Sequence, residues 1–119
     1  MTLQTSIERI HADAAVITFV GNLTLGMNLK MTDDQIHTLV EEGVSRMVLD
    51  LTAVPYADSA GLGMLVHTNG LVLRSGGMLR LCGVSERVAA LLKLTKMDAV
   101  LSVDPDAGAS LAALGFSAK

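Results

Sequence analysis

Tryptophan is absent from this 119-residue chain, and aromatic residues make up 3 % of it. Single-stranded nucleic-acid binding leans on aromatic stacking platforms, so that class has little support here. The chain holds one cysteine, Cys82, which excludes an intrachain disulfide. Cys82 lies in the apolar run Met78-Leu79-Arg80-Leu81-Cys82 and reads as a buried strand residue. Basic residues are scattered, the net charge is −3, and no Lys/Arg stripe exists for duplex DNA or an anionic membrane. Glu8, Arg9 and Asp13 interrupt the N-terminus, which shows no apolar signal core. The greasiest stretch, Ala60 to Leu73, is broken by His67, Thr68 and Asn69, too short and polar for a membrane span. There is no phosphate-loop sequence and no Gly-x-Gly-x-x-Gly after a strand. Three separated histidines and one cysteine give no metal-ligand spacing. Asp104-Pro105-Asp106 suits a helix start better than a calcium loop. The expectation is therefore one cytoplasmic domain over residues 1–119, with no metal and no cofactor.

What is present is a large aliphatic core. Half of the chain is hydrophobic, supplied by Leu, Val, Ile, Ala and Met. Leu3 to Ile10 and Ala15 to Val20, separated by His11-Ala12-Asp13, predict an N-terminal β-hairpin. A loop, Asn22 to Gly26, follows. Leu25, Leu29, Ile36, Leu39 and Val40 then fall on one helical face, and Gly43 stops the run. That helix begins near Leu25 or, if Thr32 and Gln35 form a capping box, at Asp33.

Met47 to Leu51 reads as a central parallel strand covered on both faces. Leu62, Leu65, Val66, Asn69, Val72 and Leu73 define the next helix, with Met64 and His67 off its stripe, on a face left to solvent or to docking. Met78 to Cys82 is a strand, and Ser85 caps a helix bearing Val88, Leu91 and Leu92. Ala99 to Val103 is a last short strand. Asp104 then caps a helix whose first residue is Pro105 and which runs to about Leu114. The fold class is α/β: a mixed, mostly parallel sheet with an N-terminal hairpin and βα units. Right-handed crossovers place the helices mainly on one side. That leaves the other sheet face needing cover and makes room for a weak homodimer.

One segment carries unusual chemistry. Ala57-Asp58-Ser59-Ala60-Gly61-Leu62-Gly63 stands where a central strand hands over to a helix, the edge where sites gather in open α/β sheets. Asp58 or Ser59 would be the N-cap. The first amides of the helix are unpaired, with the positive dipole end behind them, so an anion is stabilised there. Plain helix capping accounts for Asp58 and Ser59 equally well. Gly61 and Gly63 each cost about 1 kcal/mol of helix stability relative to alanine. Two glycines in a first turn point to close approach of something to the backbone.

Val48-Leu49-Asp50-Leu51, Val54 to Gly63 and Gly76-Gly77-Met78-Leu79-Arg80-Leu81 together resemble the STAS domain of bacterial anti-sigma factor antagonists. The element order matches over nearly the whole chain. Gly21 to Gly26 occupies the family's loop after the second strand, and Leu94-Thr95-Lys96-Met97 resembles the segment before the last strand. The resemblance implies a partner switch without catalysis. The unmodified antagonist binds an anti-sigma factor that is also a serine kinase and so releases a sigma factor. Phosphorylation at the position of Ser59 reverses this, and a serine phosphatase restores it. Asn22, Thr24, Asp58, Ala60, Gly61 and Gly63 would form the docking surface. The chain departs from the family's pattern at Ala60, where a second serine is common, and at Asn22 and Thr24, where acidic residues are common. Ala60 leaves Ser59 as the one acceptor in its segment, and the altered loop bears on which partner docks.

Three other readings compete. A non-phosphorylated STAS module of a stress-signalling or lipid-transport complex keeps the fold and drops the switch. A ligand-binding protein would use the same helix start. A hydrolase would need a base near Ser59. Gly-x-Ser-x-Gly is absent, because position 57 is Ala, and His67 lies eight residues along the same helix, about 12 Å away.

Overall fold

In the computed structural model, which describes residues 2–116, the chain builds a five-stranded sheet in the order β1-β2-β3-β4-β5. The strands are β1 (Gln4–His11), β2 (Ala14–Val20), β3 (Arg46–Ala53), β4 (Met78–Cys82) and β5 (Val103–Asp104). The α-helices are α1 (Met27–Glu41), α2 (Ser59–Arg74), α3 (Glu86–Leu94) and α4 (Ala107–Ala113), with a 3₁₀ turn at Met97–Ala99. β1 and β2 pair antiparallel as the expected hairpin, and every later pair is parallel.

The register sorts the strand side chains. Ile17, Leu49 and Leu81 stand in one row across β2, β3 and β4. With Phe19, Met47, Leu51 and Leu79 they form the main core against Ile36 of α1, Leu65 and Val72 of α2 and Leu92 of α3. Burying each such side chain is worth about 1.5–3 kcal/mol. Val16, Val48 and Cys82 point the other way and pack with Leu111 and Leu114, in and beside α4. Three helices thus lie on one face and α4 on the other. On the face the sequence left needing cover, α4 packs over β3, β4 and β5.

Helix ends follow local chemistry. Gly43 and Gly76 adopt positive φ (99° and 85°) directly after the C-caps of α1 and α2. The following amides then reach back, Val44 N–H to Leu39 O and Gly77 N–H to Val72 O, in the Schellman arrangement.

Of the two starts the sequence offered for α1, the structure takes the one near Leu25: the helix begins at Met27 after Gly26, and the Thr32/Gln35 capping box is unused. Thr32 is buried, and its hydroxyl meets that of Thr5 at 2.8 Å. Three expectations need correction. The last strand is the two-residue β5, because Met97–Ala99 turns as 3₁₀. Asp104 is a strand residue, not a cap: it accepts two hydrogen bonds from Arg80, at 2.7 and 2.9 Å, and one from Ser110. Asp106 caps α4 instead, accepting from Ala109 N–H at 2.8 Å. Finally, Met64 is 6 % exposed and Leu73 is 55 % exposed. The buried face of α2 is rotated from the predicted stripe toward Gly61, Met64 and Thr68.

Candidate functional site

The site grows from the exit of β3. Asp58 is the N-cap of α2, in extended conformation, and its Oδ1 accepts from Gly61 N–H at 2.8 Å. Its Oδ2 accepts from Leu25 N–H at 2.9 Å. One carboxylate therefore starts the helix and holds the Asn22–Gly26 loop against it. The N–H groups of Leu25 and Gly61 hold this carboxyl below the usual carboxylate range. The loop is stitched further by Leu23 N–H to Tyr56 O (2.9 Å) and Asp58 N–H to Leu23 O (3.2 Å).

Gly61 explains itself here. A Cβ at this position would lie 1.9 Å from the carbonyl oxygen of Leu23. The close approach inferred from the sequence is made by the chain's own loop, and Gly61 is buried. Gly63 differs: a Cβ there meets nothing within 4 Å, and the residue is exposed.

Ser59 is the first residue of α2 and is exposed. Ser59 thus stands in the first turn, where helix amides lack intrahelical partners, at the positive end of a 16-residue helix. Ala60 and Gly63 line a groove of about 300 Å³ between α1 and α2, with Leu25, Gly26, Leu29 and Met64. Asn22 and Thr24 line a second depression of about 260 Å³ on the other side of Leu25. The residues singled out in the sequence thus gather at one end of the molecule, except that Gly61 faces inward.

Sequence reasoning passed over the apolar rim of this site. Leu25 is 80 % exposed and Met27 is 72 % exposed. Both lie around the start of α1, beside the loop that Asp58 holds. Leu25, read in the sequence as part of the apolar stripe of α1, instead precedes the helix and does not join its buried face. The available signal for Met27 was its place outside the stripe of Leu29 and Ile36. Among the described residues no hydrogen bond joins Ser59 to a histidine: His37 stacks on His67, and His11 pairs with Asp13 at 2.7 Å by the hairpin turn. Cys82 is fully buried, as expected, and burial pushes its thiol up to about 12. Among the described residues, no helix is long and apolar enough to cross a membrane.

Comparison with known proteins agrees with this architecture. The anti-sigma-B factor antagonist of Bacillus subtilis is 35 % identical over 65 residues, covering 55 % of this chain and 59 % of that relative's length. A Thermotoga maritima structure assigned as an anti-sigma factor antagonist superposes with a TM-score of 0.85 at 20 % identity, covering 92 % of this chain and 93 % of that one. The anti-sigma factor antagonist SpoIIAA in its unphosphorylated form gives 0.81 at 16 % identity, covering 97 % of this chain and 100 % of that one. SpoIIAA is also known in a phosphorylated form, a structure that gives 0.70 at 15 % identity over 85 % of this chain and 91 % of that one. At these identities the structural likenesses establish the fold. Residues 6–109, from the hairpin to α4 and including the whole Asp58–Ser59 junction, match the STAS domain, and the chain belongs to that family.

Proposed function

We propose that this chain is an anti-sigma factor antagonist, a docking protein rather than an enzyme, whose binding is switched off by phosphate on Ser59. The observation that carries the reading is the position of Ser59: exposed, first in α2, directly after the capping Asp58 and directly before Ala60, which lines the groove. The existence of a phosphorylated form of SpoIIAA and the partial identity to the Bacillus subtilis antagonist support it.

The physics divides the two states. In the free protein, phosphate on Ser59 meets unpaired helix amides and the positive dipole end, worth about 0.3–1 kcal/mol. Modification therefore leaves the fold intact. In the complex, the same group adds nearly two negative charges beside the ionised Asp58 at a desolvated surface. A penalty of roughly 3–4 kcal/mol lowers affinity by about 100- to 1000-fold. The partner is an anti-sigma factor with serine-kinase activity, and a serine phosphatase resets the switch, all in the cytoplasm. Asn22, Thr24, Asp58, Ala60 and Gly63 contribute to docking. Gly61 contributes by letting the loop close on the helix.

The test is incubation with a serine-kinase anti-sigma factor encoded beside this chain, with ATP, followed by peptide mass mapping. Phosphate confined to the Ser59 peptide and lost in Ser59→Ala supports the switch. A partner that binds and phosphorylates another residue, or none, sinks it.

A further inference from the structure

The seam between α1 and α2 gathers metal-ligating groups that no sequence spacing announces. Asp33 and His37 are four residues apart on α1 and share a helix face. His67 comes from α2. Its Nε2 lies 3.1 Å from His37 Nε2, with the two rings stacked at a centroid distance of 5.2 Å. His37 Nε2 lies 3.8 Å from Asp33 Oδ2. The three candidate ligand atoms all lie within 4.8 Å of one another.

Without an ion, one imidazole donates its Nε2–H to the other. That bond satisfies the histidines but not the carboxylate: Asp33 Oδ1 is buried and has no hydrogen-bond partner among the described residues. A carboxylate with an unmet oxygen beside two converging imidazoles is the arrangement a cation relieves.

We propose that Asp33, His37 and His67 form a binding site for a divalent d-block cation of the Zn²⁺ type, clamping α1 to α2. Tetrahedral zinc with bonds of about 2.0–2.1 Å sets its ligands roughly 3.3 Å apart along each edge. The His37–His67 and His37–Asp33 separations of 3.1 and 3.8 Å lie on either side of that value, and the His67–Asp33 separation is within 4.8 Å. Closing the site falls to side-chain rotation of His37 and Asp33, both partly exposed. Two imidazoles and one carboxylate suit Zn²⁺, Ni²⁺ or Cu²⁺, whereas Mg²⁺ and Ca²⁺ prefer all-oxygen sets. Both rings bind through Nε2, so both carry their proton on Nδ1. Three protein ligands leave a fourth position open. Asp33 and His67 also line the groove that holds Ala60 and Gly63. The ion therefore sits at the rim of the docking surface, where its open position faces water or a partner's donor group. The site stands on its own residues and does not depend on phosphorylation of Ser59.

The experiment uses the full chain, free of affinity tags that bind metals. Zn²⁺ is titrated by calorimetry and Co²⁺ by absorption, with Mg²⁺ as a control. One Zn²⁺ per chain, tetrahedral ligand-field bands with Co²⁺ and no response to Mg²⁺ are expected. His37→Gln and His67→Gln should each weaken Zn²⁺ binding by about tenfold or more, a difference of roughly 1.4 kcal/mol. His11→Gln should leave it unchanged, because His11 lies by the hairpin turn with Asp13. Both ligand histidines stand at the surface, and circular dichroism confirms that the variants fold. Absence of stoichiometric Zn²⁺ binding, or binding that survives both His37→Gln and His67→Gln, overturns the site.

Discussion

Replacing Asp58 with alanine should cost the free protein about 2–3 kcal/mol, more than a surface cap usually supplies. The excess comes from its second hydrogen bond. The cap to Gly61 N–H, at 2.8 Å, is worth about 1 kcal/mol. The bond to Leu25 N–H, at 2.9 Å, is also charge-assisted. It belongs to the upper class of about 1.5–3 kcal/mol, discounted toward the lower end because the carboxylate is partly solvated. For a chain of this size the sum lowers the melting temperature by about 10 °C. Asp58→Asn keeps one acceptor oxygen, which can serve Gly61 or Leu25 but not both, so it should lose about half as much.

The pH dependence has a defined sign. The carboxyl of Asp58 is lowered on folding by the Leu25 and Gly61 amides, so its contribution is present above the unfolded value of about 4. It is lost as pH falls through the lowered folded value. The gap between wild type and Asp58→Ala should therefore narrow below about pH 4. Asp13, held at about 2 mainly by its hydrogen bond from Arg46, titrates in both proteins and cancels in the difference. Urea unfolding at a series of pH values measures all of this. A loss below about 0.5 kcal/mol, equal losses for the alanine and asparagine variants, or a gap indifferent to acid would refute the double role of Asp58.

Two neighbouring glycines should respond in opposite directions. Gly63→Ala meets open space and should stabilise α2 by about 1 kcal/mol, whereas Gly61→Ala drives a methyl into the Leu23 carbonyl and should cost about 3 kcal/mol, both read by urea unfolding. Leu25→Ser should change stability by less than about 0.5 kcal/mol, because the side chain is 80 % exposed, yet weaken partner capture measured by calorimetry. The Cys82 thiol, fully buried and pushed up to about 12, should react with a disulfide reagent only at the rate of protein opening. Fast reaction in the native protein would contradict its place under α4.

The sequence disclosed what local chemistry determines. The hairpin, the run through β3, the Gly43 and Gly76 stops and the Asp58 cap all depend on neighbours within a few positions, and all stand as expected. It concealed what depends on the sheet. Asp104 followed by Pro105 has a good N-cap pattern, but pairing with Arg80 across the sheet claims the carboxylate, and the cap falls to Asp106. Met64 looked peripheral because helical periodicity gives a stripe without fixing which way it faces. Packing against the sheet and the Leu23 backbone turns α2 so that Met64 is buried and Leu73 is out. The link from Asp58 to Leu25 spans 33 positions, and that between His37 and His67 spans 30, so no motif spacing could have announced either.

The proposed switch rests on Ser59, and affinity is its most direct measure. Calorimetry should compare the unmodified chain, the chain phosphorylated on Ser59, and Ser59→Ala, each against the serine-kinase anti-sigma factor. The account predicts tight binding by the unmodified chain and by Ser59→Ala, with roughly 100-fold or greater weakening by phosphate, a change of about 3 kcal/mol. Equal affinity of the phosphorylated and unmodified chains, with both folded, would contradict it.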